Sequence, residues 1–444
     1  MAIISPNPGK KIRDQVPRTS QGDFTLSPKR PTILQAINAS NHDRVPDLIP
    51  IRCGRMSVSP FAFYRGTADI MARDLSTLPH TSLQVQAIGD CHLMNFGGFA
   101  TPERNLIFDA NDFDETLPAP WEWDIKRLAT SFVLAARHNN MRETDAKQMA
   151  IDLSLAYRTA MAEYVQMNTL DLWYMKFEMQ DLLNKARSEK VKTMLRDAMD
   201  KAQKSTSEKV FYKITQSVLG NFEIQDQHPL IYHPIDLVKQ KKMVHAFLER
   251  YLETLQDDRR FLFSQYRVID IALKVVGVGS VGTRCLVALM MNAKDEPLFM
   301  QIKEARNSVL EAYTEKSKYK HNGERVVQGQ RLVQAASDMF LGWSTGLENR
   351  HYYLRQLRDR KIAPDVEHFD KEVMAAYAGL CGRVLARAHA KTGPGDVISS
   401  YLGKSDIADE AIGKFAVAYA DQTEKDYNEF IKAIKAGKLK AEVV

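Results

Sequence analysis

The sequence predicts an α+β protein in which a large helical part joins a small β-meander. Three observations predict it. Residues 121 to 255 place apolar side chains three and four apart almost throughout, residues 266 to 303 read as three short strands separated by turn residues, and most of the chain after 320 returns to helical spacing. With 444 residues, 44% hydrophobic and 26% charged, the chain is long enough for two or three such units and apolar enough to bury a core.

Each element follows in order. Residues 1 to 45 are rich in Pro, Ser, Lys and Arg without periodicity, which predicts an extended arm. Residues 57 to 75 open on a Ser-x-x-Pro turn and continue with helical spacing. Val85 to Ile88 and Leu106 to Phe108 are short apolar runs between polar loops, as strands that present loop residues would be. The helical stretch 121 to 255 includes DIKRLATSFVLAAR, AIDLSLAYRTAMAEYV and MVHAFLERYLETL. Strands are expected over 266 to 277, 284 to 291 and 297 to 303, the first two joined by a Gly-rich turn and the last two by Asn-Ala-Lys-Asp. A helix over 324 to 342, a strand over 351 to 359, a helix from 372 that stops at Gly393 and a last helix from 411 complete the chain. These changes of texture divide it into an arm (1–45), a helical unit (46–260), a β unit (261–365) and C-terminal helices (366–444) that pack back on the helical unit.

Composition narrows the functional classes. No run of about 18 apolar residues occurs, so no membrane span is expected, and Lys and Pro stand where an export signal needs an apolar run. A cytoplasmic location is the expectation. Cys53, Cys91, Cys285 and Cys381 lie far apart without a Cys-x-x-Cys pair, which predicts reduced, buried thiols. The net charge of +6 sits in the two tails: residues 1 to 30 carry +4 and residues 431 to 444 carry +3, which leaves −1 for the rest. A basic groove for nucleic acid is therefore not indicated, and the tails read as solvated.

Two constellations carry chemistry. In the first, Gly89-Asp90-Cys91-His92-Leu93-Met94-Asn95 is followed by Asn111-Asp112-Phe113-Asp114-Glu115. Two loops with these residues can hold a divalent cation between an amide and carboxylates while one Asp stays free to orient a hydroxyl. In the second, Gly277-Val278-Gly279-Ser280-Val281-Gly282 joins two strands, and the next strand ends in Gln301-Ile302-Lys303. A strand, a Gly-rich hairpin and a strand, with a lysine on the next, are the parts that cover ATP phosphates in kinases. Arg65 could serve a phosphate or the acidic cluster, His92 reads as a hydrogen-bonding support of its loop, and Trp121, Trp123, Met290 and Met291 read as core.

These residues carry a resemblance. Ile88 to Asn95 resembles the Gly-Asp-x-His-x-x-Asn catalytic loop of aminoglycoside and choline phosphotransferases, Asn111 to Asp114 resembles their metal loop, and Trp123 to Ala129 is similar to the Tyr-Asp-Leu-Ala stretch that follows. As a whole the chain resembles an uncharacterised bacterial family, domain of unknown function 2252, through Phe61 to Ala68, Gly89 to Glu115 and Gly277 to Ala305. The resemblance implies a protein-kinase-like two-lobe fold using ATP and Mg²⁺. The motif order departs from that family, since the Gly-rich loop and its lysine follow the catalytic loop. Leu380 to His389 resembles the helix that normally precedes that loop, so the chain looks circularly permuted.

In the roles so implied, Asp90 is catalytic, Asn95, Asp112 and Asp114 hold the metal, and Gly277, Gly279, Ser280, Gly282 and Lys303 bind the nucleotide. Adenine is expected near Leu357 to Lys361, and Glu311 and Glu324 are both open as partners of Lys303. The expected activity is phosphoryl transfer from ATP to an unidentified hydroxyl, on a small molecule in preference to a protein. Adenylyl transfer and a non-catalytic nucleotide-binding role are the alternatives.

Overall fold

The computed structural model describes residues 8–204, 207–218, 221–234, 241–357 and 360–443. The acidic segments lie between two short antiparallel pairs. β1 (Gln84–Ala87) pairs with β4 (Leu117–Pro120), and β2 (Phe96–Ala100) pairs with β3 (Leu106–Ala110). Because β1 leads toward β2 and β3 toward β4, the two connecting loops run side by side. The Asn111 backbone N–H donates to the Asn95 carbonyl at 2.9 Å. Gly89, at φ +87°, lies so close to the Glu115 carbonyl that a Cβ would sit 2.3 Å from it. Only glycine fits there.

Two further short strands, β5 (Thr215–Val218) and β6 (Asn221–Ile224), form a hairpin. The main sheet has six antiparallel strands in the order β11-β12-β10-β9-β8-β7, with β7 (Ile231–Tyr232), β8 (Tyr266–Lys274), β9 (Cys285–Asn292), β10 (Pro297–Glu304), β11 (Gly342–Thr345) and β12 (His351–Gln356). Side chains alternate across it. Leu298, Met300 and Ile302 pack with Tyr251 on one face, while Phe299 packs with Phe211, Ile214 and Ile224 on the other. Lys303, two residue pairs on from Phe299, shares that second face and lies opposite Cys285 and Tyr353.

The helical body is built from Trp121–His138, Glu143–Tyr164, Lys371–Thr392 and Ile407–Lys435. The first of these is buried from Trp121 through Ala136, so it is the central element of the core. A sealed ion pair ties this body to β3: Arg387 donates to both Asp109 oxygens at 2.7 and 2.8 Å, and both side chains are 0% exposed. The remaining acceptor capacity of Asp109 is filled by the backbone N–H groups of Ala110 and Ala335.

The α+β class is as the sequence predicts, and no helix among the described residues is long and apolar enough to cross a membrane. All four cysteines are free and buried. Three expectations are corrected. The segment expected as an extended arm holds helices at Pro8–Gln15 and Ile33–Ser40, the second closed by a Thr32/Gln35 capping box. Its basic residues are not all solvated: Arg13 and Arg18 donate to the Tyr401 and Leu402 carbonyls, and Arg30 bridges Asp74 and Asp426. Residues 121 to 255 are not helical throughout, because Thr215–Val218 and Asn221–Ile224 pair as the antiparallel strands β5 and β6. The Ile224 N–H of that hairpin donates to Asp270 on β8. The helix expected over 324 to 342 spans Asn322–Val333, and the chain re-enters the sheet at Gly342.

Removing one partner of a buried pair leaves an uncompensated charge, at a cost of about 3–5 kcal/mol. Arg387→Met is therefore expected to lose roughly that much stability in denaturant unfolding, and adding Asp109→Asn, which removes the charge but keeps an oxygen acceptor for the backbone N–H groups, should recover part of it.

Candidate functional site

The catalytic-loop candidate is positioned from beneath by one carboxylate. Asp124, in the first turn of the Trp121 helix, accepts the Ile88 and Gly89 N–H groups at 2.7 and 3.0 Å. His389, on the Lys371 helix, lies 3.3 Å from Asp124 through Nε2, and its Nδ1 is 2.9 Å from the Tyr157 hydroxyl. One helical step on from Asp124, Arg127 donates through Nε to Asp90 Oδ1 at 2.7 Å. Arg127 is itself fixed, stacked 4.4 Å from the Tyr64 ring centre and donating to the Tyr64 carbonyl. One Asp90 oxygen is thus held by a guanidinium, and Oδ2 lies 3.8 Å from His92 Nε2. Asn95 Nδ2 donates to the Asp90 carbonyl, which leaves its Oδ1 for another partner. Burial pulls His92 down to about 4, against the pull of Asp90, so the imidazole is neutral near pH 7.

The second acidic loop meets the sheet at Lys303. Its ammonium lies 2.6 Å from Asp114 Oδ2 and 3.5 Å from Asp112 Oδ1, with its side chain 3% exposed. Burial favours the neutral amine, but the facing Asp112 and Asp114 carboxylates outweigh it and hold this lysine well above its usual range, so it stays charged. Burial works against the Asp112 charge too, but Lys303 and Arg355 outweigh it and hold the carboxyl near 2. Asp114 is fully engaged: Tyr353 donates to Oδ1 at 2.6 Å, and Ser280 to Oδ2 at 3.3 Å. Neither glutamate considered as a partner pairs with Lys303. Glu311 accepts from the Ser317 N–H, and Glu324 lies in the capped first turn of the Asn322 helix.

The Gly-rich turn joins β8 to β9 and is clamped from the N-terminal side. Arg55 donates to the Gly277 carbonyl at 2.6 Å, Arg44 to the Gly279 carbonyl at 2.8 Å, and the Val45 N–H to the Gly282 carbonyl at 2.8 Å. Gly277 and Gly282 have φ of +66° and +90°, a region that disfavours any side chain.

Two cavities flank this turn. One, of about 640 Å³, is lined by Lys303, Gln301, Arg355, Gln330, Leu357 and Lys361. The other, of about 590 Å³, is lined by Asp90, His92, Asn95, Asp114, Gly279 and several arginines. Asp112, Gly277 and Ser280 line both and form the wall they share. Asp90, Asn95, Asp112, Asp114, Gly277, Gly279, Ser280 and Lys303 are thus brought to one place, while Gly282 packs against Arg44 and lines neither cavity. Of the residues expected near adenine, Leu357 and Lys361 line the larger cavity, and 358–359 lie outside the described residues.

Sequence reasoning missed Arg127, Tyr353 and Arg355. Helical spacing from Asp124 could have found the first. The alternation in HYYLRQ, which puts Tyr353 and Arg355 on one strand face, could have found the others. Arg65 forms no ion pair with the acidic cluster among the described residues.

Mg²⁺ takes hard oxygen donors, often one or two carboxylates with the rest from water and phosphate. Asp112 with Asn95 Oδ1 fits such a set, whereas Asp114 has both oxygens occupied and fits better as the anchor of Lys303 and Ser280. Among the described residues no group of three or more His, Cys, Asp or Glu side chains is arranged to hold a metal ion. Any metal here would need oxygens from its own ligands to complete its shell.

Burial pushes the neighbouring Glu115 carboxyl up to about 7 even though the Val309 N–H donates to it. A carboxyl whose folded pKa is raised contributes stability that is full below its unfolded value near 4.5 and is lost as the pH rises through 7. Glu115→Gln keeps an acceptor for Val309. It should raise the melting temperature at pH 8, by an effect of order 1–3 kcal/mol, and change little at pH 5.

No curated protein and no solved structure matches this chain. The family model described as an uncharacterised protein conserved in bacteria, domain of unknown function 2252, matches residues 44–433, which takes in both acidic loops, the Gly-rich turn, Lys303 and the Lys371 helix. The chain belongs to that family.

Proposed function

We propose that the protein is an ATP-using, Mg²⁺-dependent phosphotransferase with a kinase-like, circularly permuted design, transferring a phosphoryl group to a hydroxyl acceptor. The observation that carries the reading is the pair of cavities meeting at Asp112, Gly277 and Ser280, with Lys303 in one and Asp90 in the other. In-line phosphoryl transfer needs a donor and an acceptor held on opposite sides of the moving group, with cations around its oxygens. In this reading the nucleotide lies in the Lys303 cavity, its phosphates under the Gly-rich turn and the ammonium against the α/β-phosphates. Bound Mg²⁺, held by Asp112 and Asn95, would supply charge neutralisation on the phosphates. Asp90, with one oxygen fixed by Arg127, orients the acceptor hydroxyl through the other.

Permutation is supported by a local contact. The Lys371 helix ends against β1, where the Gln86 N–H donates to Thr392 Oγ1 at 3.2 Å, and its His389 holds Asp124 below the catalytic-loop candidate. A helix in that place runs toward the loop as the resembling families' order requires, although in this chain it arrives from the C-terminal side.

The test is nucleotide turnover with a panel of hydroxyl acceptors. Wild type should form ADP in a Mg²⁺-dependent manner. Asp90→Asn should lose about 10²-fold or more in turnover while binding nucleotide within about threefold of wild type. Release of pyrophosphate instead of ADP would replace phosphoryl transfer with adenylyl transfer. Absence of turnover with any acceptor, nucleotide still bound, would leave a non-catalytic binding protein.

A further inference from the structure

Arg44, Arg52, Arg65 and Arg306 all line the Asp90 cavity, and among the described residues none of them forms an ion pair with a carboxylate. Their contacts are to neutral groups. Arg44 donates to the Ser40 and Gly279 carbonyls, Arg52 to Asn41 Oδ1, Ser40 Oγ and the Gly66 carbonyl, and Arg306 to the His42 carbonyl. Among the described residues Arg65 makes no hydrogen bond, and the Nε atoms of both Arg65 and Arg52 are buried without a partner there. Arg52 is 1% exposed, so its unpartnered donor is sealed at the cavity wall. Elsewhere in the same region the protein neutralises its arginines: Arg350 is bonded to Asp43 and Glu304, and Arg127 to Asp90.

Most acids of this wall pair directly with other cations: Asp43 and Glu304 with Arg350, Asp90 with Arg127, and Asp112 and Asp114 with Lys303. Asp69 and Glu115 also line it, and Glu115 accepts the Val309 N–H. Burial lowers Arg44, and the nearness of Arg52 and Arg306 lowers it further by like-charge repulsion, against the opposing pull of Asp69 and Glu115. Guanidinium donors left over in a cavity suit an anionic oxygen group, which several forks can bind at once. A dianion offsets more of that repulsion than a carboxylate.

We propose that the acceptor is an anionic molecule, a hydroxyl compound that already bears a phosphate-type dianion, with that group bound by Arg44, Arg65 and Arg306 in front of Arg52. This rests on the phosphotransferase reading for the word acceptor, but the anion subsite stands on the arginines alone. It sets the protein apart from the cationic aminoglycoside and choline substrates of the families its motifs resemble.

The test uses the full chain without nucleotide, titrated with inorganic phosphate, acetate or chloride at matched ionic strength and followed by melting temperature and calorimetry. Phosphate should stabilise wild type beyond acetate and chloride. Arg65→Met and Arg306→Met, both at half-buried positions, should each weaken phosphate at least tenfold, and Arg65→Lys should keep part of the effect. The ligand-free melting temperature of each variant reports whether it has folded. No phosphate-specific stabilisation, acetate as effective as phosphate, or phosphate binding unchanged in both methionine variants would overturn the subsite. Mg²⁺·ATP is titrated into the same samples. Its binding should persist in the arginine variants. A wild type that binds phosphate through Arg65 yet ignores Mg²⁺·ATP would keep the subsite and refute the phosphotransferase reading.

Discussion

A lysine almost sealed from solvent between two aspartates is the contact on which the site depends. Lys303 comes from the middle of the six-stranded sheet, and Asp112 and Asp114 come from the loop between the two short strand pairs. At an effective dielectric of about 20, each contact near 3 Å contributes about 5 kcal/mol of attraction. Desolvating the three groups costs several kcal/mol apiece. The two effects nearly cancel, so the cluster adds little net stability. What it secures is position, because Asp114 also anchors Ser280 and Tyr353, and so one carboxylate sets the Gly-rich turn, the sheet and the acidic loop relative to each other.

The other half of the site is set by a second carboxylate working on the backbone. Asp124 accepts two successive N–H groups at the start of the catalytic-loop candidate, and Arg127, on the same helix, reaches the Asp90 side chain. The Trp121 helix is buried along nearly its whole length, so these groups cannot shift without disturbing the core. A positioning system of this kind suits chemistry that works through orientation and charge, with no covalent step on the protein.

Much of this was legible in the sequence, for identifiable reasons. The meander could be read because strand alternation and turn residues are local signals, and the helix ending at Gly393 could be read because a glycine stops it. The two acidic loops and Lys303 stood out as polar residues beside apolar runs. The N-terminal segment was illegible because its stabilising partners are remote: Arg30 meets Asp426, and Gln21 meets the Tyr401 hydroxyl, nearly 400 residues away. The β5–β6 hairpin was lost within a long window dominated by helical spacing. Of the arginines of the Asp90 cavity only Arg65 stood out, since 61 Lys and Arg are spread through the chain and it is the fold that brings Arg44, Arg52, Arg65 and Arg306 to one wall.

The most direct test of the account is a calorimetric titration of Mg²⁺·ATP into wild type and Lys303→Met, with metal-free ATP as the comparison. The account predicts saturable binding by wild type that requires Mg²⁺ and is weakened at least tenfold without the lysine. Absence of binding in wild type, or equal binding in the Lys303→Met variant, would contradict it.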